Sequence, residues 1–181
     1  MKKSKNLLYL FAATALITPA ISPIATHNVE AATIQKQAPY ISKDLLDLAK
    51  KGYLKGASTV YKIGTQYKTV KKYLTGKKIH GSEHTNSFVI GKTMIGFASR
   101  QFEKVYSTDK IITLSVEKPY VSADTVKKAL GKPYKEDIYA NGKAYRLIYL
   151  TGNQYVFIDG NFEYKTVNIS VIDKKSWDMI P

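Results

Sequence analysis

The sequence predicts an α+β fold: two tandem helix-plus-antiparallel-strand repeats forming one sheet, with helices packed on one face. Three observations predict it. Thr69-Val-Lys-Lys-Tyr-Leu74 returns as Thr125-Val-Lys-Lys-Ala-Leu130, 56 residues later, and each copy runs into a glycine, Gly76 or Gly131. Downstream, Ile111–Val116 matches Val167–Ile172 at the same offset. The last strand, 165–172, alternates apolar and polar residues as an antiparallel strand with one buried face does.

The elements follow in order. Ser42 is placed to cap an amphipathic helix over 43–51, with Leu45, Leu46, Leu48 and Ala49 grouped on one side and Gly52 as the stop. A second short helix is predicted over 69–74. Strands are predicted over 87–91, 93–98, 102–107 and 110–116. In the second unit Ser122 or Asp124 caps a helix reaching Leu130, which Gly131 and Pro133 terminate. Strands over 144–150, 154–158 and 165–172 follow. Asn141-Gly142 is a type I′ hairpin signature, and Thr151-Gly152-Asn153 marks a second tight turn. In the last strand Val167, Ile169 and Val171 share one face.

These elements divide the chain into a first unit over 42–117 and a second over 118–181, each too small to be secure alone and together one domain. Ahead of them lies an export leader. Lys2, Lys3 and Lys5 precede 19 uncharged residues from Leu7 to Ala25, and Val29-Glu30-Ala31 offers small residues for cleavage. A retained membrane anchor competes, but Pro19 and Pro23 interrupt the apolar run. The expectation is a signal peptide over 1–31, a flexible segment over 32–41, and a secreted monomer that is extracellular or loosely wall-associated.

Charge points toward the partner. The full chain has 28 basic and 14 acidic side chains; without residues 1–31 it keeps 25 and 13, a net +12. That charge attracts anions at long range, although it would also serve merely to keep a secreted domain soluble. Arg100 and Arg146 are the only arginines. Sequence-specific nucleic-acid readout favours the guanidinium fork, so it is not expected here. The anionic polymers of a Gram-positive cell wall are the expected partner, with an extracellular protein as the alternative and no membrane contact after cleavage.

Chemistry is sparse. The chain has no cysteine, which excludes disulfides, thiolate metal sites and a Cys nucleophile. His80-Gly-Ser-Glu-His84 fits an inverted zinc-peptidase pattern, but that reading needs a helix, and Gly81 and Ser82 lie inside the motif. Glu103, Asp109 and Glu117 are the carboxylates placed near predicted strands, each close to a lysine. No catalytic residue, metal ligand or cofactor is therefore assigned, and no enzyme is expected.

Binding candidates are Lys71, Lys72, Lys127 and Lys128 on the paired helices, with Tyr149, Tyr155 and Trp177 as exposed rings. Tyrosine is abundant, with 14 residues, and Tyr145, Tyr149, Tyr155 and Tyr164 would put some rings inward and others outward. Trp177 either folds back as a lid or anchors a partner.

These residues resemble a known family. Leu-Leu-Asp-Leu-Ala-Lys-Lys-Gly over 45–52, Tyr61-Lys-Ile-Gly64, Ile95-Gly-Phe97, Val105-Tyr-Ser107 and Val126-Lys-Lys-Ala-Leu-Gly-Lys-Pro133 are similar in order and spacing to YjgB-type secreted proteins of bacilli, built around a domain of unknown function. The helix–Leu-Gly-x-Pro–strand unit also resembles the tandem repeats of the β-lactamase-inhibitor-protein-like fold, although the first copy reads Leu74-Thr-Gly-Lys77. Asn141-Gly-Lys-Ala-Tyr145 is similar to a hairpin of wall-binding surface-layer repeats. The resemblance implies helices on one face of a sheet whose other face holds a partner, and it carries over no catalytic residue. Three functional classes remain in view, in this order: a non-enzymatic wall-binding protein, a secreted inhibitor or modulator of an extracellular enzyme such as a wall hydrolase, and last a hydrolase using the His80–Glu83–His84 segment or a carboxylate pair.

Overall fold

The computed structural model describes residues 39–82, 85–98 and 101–179. The predicted signal peptide, most of the segment after it, Glu83, His84 and Arg100 lie outside the described residues. Four α-helices are described, α1 (Asp44–Lys50), α2 (Tyr67–Leu74), α3 (Ala123–Leu130) and α4 (Lys174–Trp177). The eight strands are β1 (Ile79–Gly81), β2 (Thr85–Ile90), β3 (Thr93–Ala98), β4 (Ile111–Pro119), β5 (Lys135–Tyr139), β6 (Ala144–Thr151), β7 (Gln154–Asn161) and β8 (Thr166–Asp173). They form one antiparallel sheet in the order β1-β2-β3-β4-β8-β7-β6-β5.

That order is two meanders joined back to back. A helix followed by four strands occurs twice, and the last strand of each set, β4 and β8, pair at the centre. Ser115 stands directly opposite Ser170 there, their hydroxyls 2.8 Å apart. Leu114, Val116, Ile169 and Val171 all face the core from these two strands. Because successive residues of a strand point to opposite faces, only an offset of 55 superposes core on core. The helices keep the offset of 56, so the last strand slips by one residue relative to the sequence match.

Three helices lie on one face. Leu45 and Ala49 of α1, Val70 and Leu74 of α2, and Val126 of α3 join Phe88, Ile95, Phe97, Leu147, Val156 and Ile158 in a single buried core. Tyr67 stacks on Phe88 and meets Phe97 edge-on at 5.5 Å, which fixes α2 against the first meander. α1 precedes the repeated helix and has no counterpart in the second half; it packs on β6 and β7, where Thr151 donates to the Leu46 carbonyl at 3.3 Å. The short α4 lies on the opposite face, with Trp177 against Phe157.

Local chemistry explains the boundaries. Ser122 caps α3, accepting the Thr125 N–H, and Gly131 ends it with φ at 87°. Ser42 does not cap α1 through its side chain: its hydroxyl binds Asp44 and receives Lys55 instead. The β2–β3 and β6–β7 hairpins both turn in two residues that begin with a left-handed glycine, Gly91 and Gly152. Asn141 and Gly142 are also left-handed, as a type I′ signature asks, but they sit within a four-residue loop.

Three expectations change. The segment 102–107 is a turn rather than a strand, because Glu103 is left-handed and the Asn86 side chain gathers the loop, donating to the carbonyls of Gln101 and Lys104 and accepting the Glu103 N–H. The short edge strands β1 and β5 stand where no strand is predicted. α4 follows β8 at once, with Asp173 accepting the Ser176 N–H at 2.9 Å.

Candidate functional site

Two surfaces carry the predicted binding residues, one on each side of the sheet. On the helical side, α2 turns Val70 and Leu74 inward, so its amphipathic spacing places Lys68, Lys71 and Lys72 in solvent. Tyr73 joins them, 45% exposed, with the Lys72 ammonium 4.9 Å from its ring centroid. Lys77 and Lys78 follow in the exposed turn to β1. From Leu48 to Ser82 the chain carries nine lysines and no carboxylate. Lys55 reaches Asp44 at 2.8 Å, and none of the other eight forms an ion pair among the described residues.

The second predicted pair behaves differently. Lys127 is 3.3 Å from Glu136 and 3.5 Å from Asp124, and the hydrogen bond it donates to Glu136 raises its pKa above the ordinary lysine range. Lys128 is exposed and forms no ion pair among the described residues. Lys71, Lys72 and Lys128 are thus open cations, whereas Lys127 is largely compensated.

The predicted aromatic residues divide by face. Tyr149 belongs to the core, which corrects its assignment as an exposed binding ring. It is 4% exposed, its hydroxyl donates to the Gly131 carbonyl at 3.1 Å, and burial pushes its pKa up to about 12. Tyr145 is likewise internal, donating to the Val121 carbonyl at 2.6 Å while its ring crosses Gly160, where an added Cβ would lie 2.2 Å from it. Tyr164 is exposed but stands in the β7–β8 turn.

Tyr155 and Trp177 reach the far face of the sheet. Tyr134, Tyr155, Phe157 and Trp177 form a chain of ring contacts, with centroids 6.2, 6.1 and 4.8 Å apart in turn. Tyr155 and Phe157 are covered, which corrects the expectation of Tyr155 as an exposed ring, while Trp177 is 39% and Tyr134 67% exposed. Lys174 lies over Tyr155, and Arg146, paired with Asp159 at 2.6 Å, lies over Phe157. Trp177 is therefore a partial lid on the outer sheet face, with one side still in water. Beside it a cleft of about 760 Å³ opens between α4 and the ends of β4 and β8. Of its charged groups, Lys174 pairs with Asp178 and Asp173 caps α4 at Ser176, while Lys110 and Lys175 form no ion pair among the described residues.

The catalytic candidates do not assemble. His80 is on strand β1, opposite Ser87, so its segment lacks the helical spacing that zinc binding by His80 and His84 requires; Glu83 and His84 lie outside the described residues. Glu103 holds a turn, and Asp109 closes another by accepting the Tyr106 N–H. Glu117 stands six strand residues beyond Ile111, roughly 20 Å along β4. Asp109, two residues before Ile111, stands at the other end of that span, so it and Glu117 are farther apart than a glycosidase carboxylate pair. Among the described residues no three His, Asp or Glu side chains cluster as a metal site, and no helix is long and apolar enough to cross a membrane.

The combination defines an α+β protein with a cationic helical layer and a mixed aromatic sheet face. No protein-family model matches the chain, and no curated protein does. A solved structure similar to it is a DUF4309 family protein, YjgB, from Bacillus subtilis subsp. subtilis str. 168, at 15% identity and a TM-score of 0.48, covering 81% of this chain and 100% of that one. Sequence reasoning missed Lys68, Lys77 and Lys78, although the absence of any carboxylate from Leu48 to Ser82 marks them.

Proposed function

We propose that this chain is a secreted, non-enzymatic binding protein that associates with the Gram-positive cell wall through its lysine-rich helical layer. The observation that carries the reading is charge segregation. Residues 39–82 hold ten lysines against two acidic groups, while residues 101–179 are close to balanced. A single-signed face concentrates polyanions at long range, and lysine does so without demanding a particular geometry.

Co-sedimentation of the chain lacking residues 1–31 with isolated walls tests this. Retention should require teichoic acid and fall as salt screens exposed charges over about 10 Å. A protein that stays in the supernatant at low salt would reduce the charge to a solubility device. The second reading, a modulator of an extracellular enzyme, is favoured by the exposed Trp177 and Tyr134 on the sheet face. Recovery of a wall hydrolase in a defined-stoichiometry complex that Trp177→Ala abolishes would establish it instead.

A further inference from the structure

The two repeated helices form an internal comparison. At the offset of 56, Val70 corresponds to Val126, Leu74 to Leu130, Lys71 to Lys127 and Lys72 to Lys128. Both helices use the same Val to anchor on the sheet, so their lysines leave the surface in the same way. Their neighbours differ. Where α3 has Asp124, α2 has Lys68; where β5 supplies Glu136, β1 is Ile79-His-Gly81 and offers no carboxylate. Asp124 and Glu136 draw Lys127 into an ion-paired cluster, whereas Lys68 and Lys71, one helical turn apart, repel each other and remain unpaired among the described residues.

Resting on the wall-binding reading above, we propose that the polymer site is confined to the first of the two helices: Lys68, Lys71 and Lys72 on α2, continued by Lys77 and Lys78, with Tyr73 at its centre. α3 is its charge-compensated counterpart and takes no part. The fitting ligand is a flexible polymer with phosphodiester charges along its length. Like charges left uncompensated on a short helix cost stability, and a polyanion laid across them removes that repulsion. Ammonium groups engage phosphate oxygens as point charges without a fixed fork geometry, which suits a flexible chain, and this surface has no arginine.

The test compares two variants for binding to purified polyol-phosphate teichoic acid at moderate salt. One carries Lys68→Gln, Lys71→Gln and Lys72→Gln; the other carries Lys127→Gln and Lys128→Gln. Glutamine keeps helix propensity near that of lysine, and circular dichroism confirms that both variants fold. At about fivefold per lysine near an anionic surface, the first should lose about a hundredfold in affinity and the second about fivefold or less. Equal losses, or a larger loss in the second, would overturn the α2 assignment while leaving wall binding intact. An unmodified chain that fails to bind the polymer would overturn the wall-binding reading itself. Polyglutamate competing as well as teichoic acid at equal charge, or preferred binding to phosphatidylglycerol vesicles, would overturn the choice of a phosphodiester polymer.

Discussion

Tyr149 illustrates how one position decides whether a ring serves stability or recognition. On β6 it is flanked by Ile148 and Leu150, which face away from the core, so the alternation of the strand sends it inward. The buried phenol keeps its proton: burial raises its pKa to about 12, and that of Tyr40 likewise, while Tyr145 is raised further still. Because the folded pKa lies above the unfolded value of about 10, this contribution is fully present below pH 10 and is lost as pH rises toward 12. Denaturant midpoints measured across that window should fall with pH, and Tyr149→Phe should fall less steeply, although it begins lower by about 1 kcal/mol for the lost bond to Gly131. Parallel slopes for the two proteins would remove Tyr149 from the alkaline transition. The tyrosine pattern was legible only in part, because β6 places Tyr145 and Tyr149 on the core face, while the neighbouring β7 turns Tyr155 to the far one.

At the scale of elements, the sequence exposed whatever local chemistry dictates. β3 over 93–98 is bounded by Gly91-Lys92 and by the end of its apolar alternation, and its limits are those expected. α3 starts at Ser122 and stops at Gly131 for reasons written in those two residues. What stayed hidden depends on distant partners. β1 and β5 are charged or short and become strands only because β2 and β6 present open edges to them. The segment 102–107 holds the strand formers Phe102, Val105 and Tyr106 but is captured by Asn86, 15 or more residues earlier. Asn86→Ala should therefore cost about 2–3 kcal/mol, since three hydrogen bonds go and water replaces only part of them. Hydrogen exchange at the Glu103 amide should accelerate while the central β4 and β8 amides keep their order of protection. An unchanged Glu103 amide would mean that the loop holds itself.

For the whole molecule, the decisive arrangement is an uneven spread of charge over the helical layer: α2 and the turn after it carry lysines without a carboxylate, while α3 is compensated by Asp124 and Glu136. The charge excess, the repeat, the candidate lysines and the packing of helices on one sheet face were legible in the sequence; the strand order was not, because it depends on pairing between distant residues. This arrangement makes opposite predictions for one variable. Salt screens lysine from lysine within the layer, so it should raise the folding stability of the isolated chain. Salt also screens lysine from a polyanion, so it should lower affinity for the wall. Between very low and physiological ionic strength, a gain of about 1 kcal/mol would appear as a rise of about 2–4 °C in Tm for a chain of this size. The Lys68→Gln, Lys71→Gln, Lys72→Gln protein should show a smaller rise, because the repulsion is already relieved. If Tm instead falls with salt, the exposed lysines are held by favourable ion pairs, and the cationic layer would not be the uncompensated surface that wall binding requires.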